Sequence, residues 1–210
     1  CQDCGKRFVV EPISNIKGDL EMVCMAMDLY MKGCSYRSIK DTLRQFTGMK
    51  VNHVTIMRWI QKFMGKINEY VEQLHPQVSD KWHADEQMVN VKGKWQYIWN
   101  CMDSETRFLL ANEVTPTRTT TDARILFQEA KRTANSTAKK VVTDGAFSYN
   151  KAVRKEFATY QNPKPHERYV SIREKSSNNN KIERYHGSFR QRDKSMRAFK
   201  SSEGVQKYAK

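Results

Sequence analysis

The spacing of apolar residues changes near residue 80 and divides the chain into a helical head and a mixed body. Leu20, Val23, Met27 and Met31 recur at three- and four-residue intervals, the spacing of one helix face. Gly33-Cys34-Ser35 interrupts the pattern, and Ser35 is placed to cap a second helix over 36–46 that turns Ile39, Leu43 and Phe46 inward. The turn from Thr47 to Asn52 carries Gly48, a residue suited to a helix stop. A third helix over 53–72 then presents Ile56, Trp59, Ile60 and Phe63 to the core. Two helices joined by a tight glycine-containing turn form a helix-turn-helix pattern. The second helix of such a pair enters the major groove, so His53, Thr55, Arg58 and Lys62 are the expected DNA contacts of this region. A plain three-helix bundle is the competing reading of the same stripe.

After a linker over 76–80 the period shortens. Residues 81–91, 95–103 and a third run from Glu105 or Thr106 to Val114 read as strands, with Gly93-Lys94 as a turn, and together predict an antiparallel meander. An amphipathic helix over 119–132 buries Ala123, Leu126, Phe127 and Ala130. A short apolar strand over 139–143 ends in Asp144-Gly145, and a helix follows over 148–157. A short strand over 166–172 and a last helix from about Asn180 complete the series. The order β-β-β-α-β-α-β-α is that of a ribonuclease-H-like fold. The expected class is therefore α/β (α+β), a mixed sheet core flanked by helices and preceded by an all-α helix-turn-helix domain. Three segments result: a knuckle over 1–18, the helix-turn-helix region over 19–75, and the core over 76–210, read as C-terminally truncated.

Composition narrows the partners. The 210 residues carry a net charge of +14, and most of that surplus falls after residue 150. A basic balance of this size favours a polyanionic partner, usually nucleic acid, over a merely solvated surface. Mean hydropathy is −0.78, and no apolar run reaches membrane-spanning length, so no membrane partner is expected. Five cysteines, an odd count, and no signal-peptide pattern argue against a disulfide framework and for a reducing compartment, the cytoplasm. Cys1 and Cys4 form half of a zinc knuckle, but structural zinc needs four ligands and no second pair lies nearby, so zinc at Cys1/Cys4 is not expected to be held by this chain alone.

Three carboxylates stand where chemistry is plausible. Asp85 lies inside the first strand, where an acid is costly unless it is paired or binds metal. Asp144 ends a short apolar strand, a position that opens onto a crevice. Glu183 opens the last helix, whose buried stripe reads Ile182, Tyr185 and Phe189. Arg190 lies two turns on, on nearly the same face as Glu183, with His186 one turn away on that side. Converging acids on separate elements are what two-metal phosphodiester chemistry requires, because magnesium prefers oxygen ligands. Glu86 competes with Asp85 for the ligand role, and strand alternation predicts that only one of the two serves. Singly, each acid reads equally well as a turn, cap or surface residue.

The motifs Gly33-Cys34-Ser35-Tyr36-Arg37-Ser38-Ile39, Val54-Thr55-Ile56-Met57-Arg58-Trp59, Trp82-His83-Ala84-Asp85-Glu86, Thr143-Asp144, Asn179-Asn180-Lys181-Ile182-Glu183-Arg184-Tyr185-His186 and 190–200 resemble those of DDE transposases of prokaryotic insertion sequences, in particular the insertion-sequence-six family. The resemblance covers almost the whole chain. It implies a catalytic set of Asp85, Asp144 and Glu183 with Arg190, and Mg2+ or Mn2+ as the metal held by the three acids. It also implies hydrolysis at the element's ends followed by strand transfer, on duplex DNA and in a homodimer or larger assembly. Lys181, Arg184, His186, Arg190, Arg192 and Lys194 are the DNA contacts expected around the last helix. The interval from Asp144 to Glu183 is a little longer than usual for that family. A non-catalytic DNA-binding derivative, and a ribonuclease or retroviral-type integrase on the same fold, are the alternatives.

Overall fold

A computed structural model describes residues 19–73, 76–168, 180–196, 199 and 201–209. The chain divides into two compact units, Cys1–Ile67 and Asn68–Lys210. The Cys1/Cys4 pair lies outside the described residues.

In the first unit, α1 (Leu20–Met31), α2 (Tyr36–Thr47) and the start of α3 (His53–Glu72) bury one cluster: Val23, Ala26, Ile39, Leu43, Ile56, Trp59 and Ile60. Ser35 caps α2, its hydroxyl accepting from Ser38 N at 3.1 Å. Gly48 closes that helix at φ 71°, a left-handed backbone that glycine adopts without steric cost. Phe46, expected inward, is exposed, as are Leu20 and Met31. These residues sit at or near helix ends, where the spacing of a stripe does not guarantee a packing partner.

The second unit holds a five-stranded sheet ordered β3-β2-β1-β4-β5: β1 (Lys81–Val91), β2 (Lys94–Asp103), β3 (Leu109–Thr115), β4 (Lys140–Thr143) and β5 (His166–Arg168). The first three strands pair antiparallel, while β1, β4 and β5 run parallel. This is the ribonuclease-H-like arrangement anticipated from element order. One face packs α4 (Thr120–Ala134) and α5 (Phe147–Phe157) around Trp82, Ala84, Trp99, Phe127, Tyr149 and Phe157. The rings of Phe127 and Phe157 meet edge-on at 5.2 Å. On the other face α6 (Asn180–Met196) and α7 (Ser202–Ala209) contribute Phe189 and Val205, which cluster with Val89, Val91 and Ile98. Phe127 is fully buried, so Phe127→Ala is expected to cost about 3–5 kcal/mol, read as a lower urea midpoint at unchanged slope.

Three local departures from the expected elements have identifiable causes. The third strand begins at Leu109 because the Asp103 carboxylate gathers Thr106 N at 2.7 Å, Glu105 N at 3.1 Å and the Thr106 hydroxyl at 2.8 Å into a turn. The buried stripe of α6 is Ile182, His186 and Phe189, with His186 in place of Tyr185, because His186 finds polar partners inside. Helix α7 stands as a separate element in the helical-looking end of the chain, where the sequence marks no break after the last helix. Of the strand anticipated over 166–172, residues 169–172 lie outside the described residues.

Candidate active site

β1 outruns its parallel neighbour. The last paired residues are His83 and Val142, and β4 ends at Thr143, so the edge of β1 is open beside Asp85 and Glu86. Asp144 follows β4 directly, and its Oδ1 accepts from Ala146 N at 2.9 Å, which holds the carboxylate over the strand end. Among the described residues, one oxygen each from Asp85, Glu86 and Asp144 lies within 4.8 Å of the others. Strand alternation predicts that only one of Asp85 and Glu86 serves as a ligand, yet an oxygen of each lies in this cluster. Alternation does send Asp85 toward α6 and Glu86 toward Tyr149 of α5. With no strand covering the edge, both side chains still reach around it to Asp144.

The cluster carries its own electrostatic signature. Burial, then the charges of Glu86, Asp144 and finally Glu183, raise the Asp85 pKa to about 7. Glu86 is also raised by burial, against the opposing effects of Tyr149 and Arg118. The Arg118 guanidinium pairs with Glu86 Oε1 and lies 3.7 Å from Asp144 Oδ2. Neither the Tyr149 hydroxyl nor Glu86 Oε2, both buried, has a hydrogen-bond partner among the described residues. Crowded carboxylates, one with a buried unpartnered oxygen, are a hard, oxygen-only donor set that fits a divalent cation.

Glu183 is not in the three-acid cluster. It is exposed in the first turn of α6, near enough for its charge to act on Asp85. His186, one turn later, is buried and brings Nδ1 to 3.5 Å from Asp85 Oδ2. Burial, then the charge of Arg190, lowers the His186 pKa to about 4. Arg190 itself is exposed, as are Arg184 and Lys194. Lys181 donates its ammonium to the Ser104 carbonyl, which ties the start of α6 to the turn after β2. The Arg192 side chain lies outside the described residues.

In the first unit, Arg58 is exposed on α3 between Val54 and Gln61, at the spacing of one helix face, while His53, Thr55 and Lys62 are half-buried. Lys40, Arg44, Lys50, Asn52 and His53 line a concavity where α2 turns into α3. Sequence reasoning missed Arg118, Tyr149, Asn100 and Asn112. Nothing in their spacing marks them, because strand register, a loop and the packing of α5 place them around the acids.

The IS240 DDE transposase family, whose model is described as a DDE domain, matches residues 79–210. The transposase of insertion sequence-like element IS431mec of Staphylococcus aureus (strain Mu50) is 31% identical over 86 residues, 40% of this chain and 38% of that protein. The transposase of insertion sequence element IS257 in transposon Tn4003, also of Staphylococcus aureus, matches to the same extent. The match thus spans under two-fifths of these relatives' length. Among solved structures, a chain of the simian T-cell lymphotropic virus intasome in complex with PP2A regulatory subunit B56 gamma aligns at TM-score 0.41. It has 11% identity, and the alignment covers 77% of this chain and 57% of that one. No helix among the described residues is long and apolar enough to cross a membrane.

Proposed function

The chain belongs to the DDE transposase family, and from that premise we propose that it is an insertion-sequence transposase that cuts DNA at element ends and joins the freed 3′-hydroxyl to target DNA. The observation that carries this reading is the convergence of Asp85, Glu86 and Asp144 at one open sheet edge, with Glu183 within Coulombic reach of Asp85. A DDE domain implies dependence on a divalent metal, which would supply Lewis acidity at the scissile phosphate. Asp85, Asp144 and Glu183 are its proposed ligands, and Mg2+ or Mn2+ its proposed identity. Arg190 is exposed two turns from Glu183 and would receive a phosphate oxygen. Arg118 pairs with Glu86 and stands beside Asp144, where it would meet the same backbone.

The first unit would hold duplex DNA, with Val54, Arg58 and Gln61 toward the major groove and the Lys40, Arg44 and Lys50 concavity toward phosphates. On the second unit the exposed Arg184 and Lys194 are proposed DNA contacts, and Arg192 is proposed with them. Action in the cytoplasm, on DNA of the nucleoid, and as a dimer or larger assembly on paired ends completes the proposal.

The test is incubation of the chain with end-containing duplex DNA and Mn2+. Nicking at the element end, followed by joining, is expected. Salt-sensitive binding without turnover would instead support a non-catalytic DNA-binding protein, and cleavage restricted to an RNA–DNA hybrid would support a ribonuclease. For the helical head, Arg58→Ala is expected to weaken duplex binding about tenfold in a titration of affinity against salt. A reduced salt slope would mark Arg58 as a phosphate contact, and an unchanged slope with relaxed sequence preference would mark a base contact.

A further inference from the structure

A polar row crosses the sheet beneath α6. Asp85 of β1 stands opposite Asn100 of β2, and Asn100 stands opposite Asn112 of β3. Residues paired in register point to the same face. His186 of α6 closes over the row, and Asn100, Asn112 and His186 are all buried. A buried amide is expensive to leave unpaired, and here two hydrogen-bond contacts and one longer charged contact join the row, while the buried Asn112 Oδ1 has no partner among the described residues. Asn112 Nδ2 donates to Asn100 Oδ1 at 2.8 Å. Asn100 Nδ2 lies 3.0 Å from His186 Nε2, and His186 Nδ1 lies 3.5 Å from Asp85 Oδ2.

The direction follows from donor and acceptor inventory. With the Asn100 oxygen accepting from Asn112, its NH2 faces the imidazole, and in that orientation His186 Nε2 accepts. A neutral ring whose Nε2 accepts carries its hydrogen on Nδ1, the atom turned to the carboxylate. The reverse direction would set a bare ring nitrogen against the Asp85 oxygen, two lone pairs facing each other in the ionised state that binds a metal. We propose that Asn112, Asn100 and His186 form a positioning relay that locks His186 in the Nδ1–H tautomer, so that it orients the Asp85 carboxylate for the metal. This rests on the transposase reading above, in which Asp85 is a metal ligand. His186, itself buried, thereby acts through Asp85.

Outer partners that orient a metal ligand typically change metal affinity 10–100-fold when removed. The relay predicts an unusual asymmetry between two substitutions. Asn places an amide nitrogen near the position of Nδ1, and Gln places one near Nε2. His186→Asn should therefore keep Mn2+ affinity within about threefold, while His186→Gln should lose about tenfold or more. Asn100→Asp, of nearly the same shape, presents an acceptor in place of a donor, draws the ring hydrogen to Nε2, and should lose affinity to the same extent.

The experiment is 15N long-range correlation NMR of the histidine-labelled chain near pH 7.5, with the His186 signals assigned by their loss in His186→Asn, alongside Mn2+ titration of all variants. An Nδ1–H tautomer in the wild-type chain, shifted to Nε2–H in Asn100→Asp, is expected. An Nε2–H tautomer in the wild-type chain overturns the relay, as do equal Mn2+ affinities in His186→Asn and His186→Gln. The tautomer is read without any substitution that could unfold the chain. A wild-type chain that neither binds Mn2+ nor cuts DNA would sink the transposase reading, a result separate from the tautomer.

Discussion

Asp85→Asn is expected to abolish metal-dependent strand cleavage, with a fall of about a thousandfold or more in single-turnover nicking of end-containing DNA. Asparagine keeps the size of the side chain and its place on β1 but removes an anionic oxygen from the cluster with Glu86 and Asp144. Asp144→Asn should be equally severe, and the double variant no worse than either single one, because ligands of one site act as a unit. Glu183→Gln and Glu86→Gln separate the two candidates for the remaining ligand. Glu86 is already paired with Arg118, whereas Glu183 is exposed beside the cluster. Loss in Glu183→Gln comparable to Asp85→Asn, with a milder loss in Glu86→Gln, is expected. Wild-type cleavage by Asp85→Asn would remove the catalytic assignment.

The same substitution should make the metal-free protein more stable at alkaline pH. Asp85 has a folded pKa of about 7, well above its unfolded value of 3.8. Its contribution to stability is therefore fully present below about pH 4 and is lost as the pH rises to about 7. A three-unit gap corresponds to roughly 4 kcal/mol at most above pH 7. His166 and His186 act in the opposite sense, since both are held near pKa 4. Their stabilisation is present above about pH 6.5 and is lost as the pH falls toward 4. The wild-type profile mixes these trends, so the quantity to measure is the difference between Asp85→Asn and wild type. Thermal melts at pH 4 and pH 8 should show that difference near zero at the lower pH and clearly positive at the higher. Added Mn2+ should then raise the wild-type Tm and leave the variant unmoved. A pH-independent difference would contradict the burial and crowding assigned to Asp85.

Much of this architecture is legible in the residues themselves. The helix periods of Val23, Ile39, Leu43, Ile56 and Trp59 recur as one buried cluster, and Ser35 and Gly48 bracket α2 as their chemistry requires. Ala123, Leu126, Phe127 and Ala130 all face the sheet, because a four-turn amphipathic helix leaves little choice of face. Periodicity was least informative where partners decide. Tyr185 and His186 are neighbours on α6, and hydropathy favours burying the tyrosine. The row of Asn100 and Asn112 reverses that preference by giving the imidazole something to bind.

By itself, then, the sequence determined the order of elements, the helix-turn-helix pattern, the basic surplus and the acids worth suspecting. These are local properties, set by period, capping and charge within a few residues. Only the tertiary structure decided which acids meet. The early end of β4 opens the edge of β1, and through that gap Glu86 joins Asp85 and Asp144 while Arg118 arrives from a loop. Strand register likewise aligned Asp85, Asn100 and Asn112 beneath His186. Register and strand length depend on pairings between distant segments, and no local pattern of side chains encodes where one strand stops beside another.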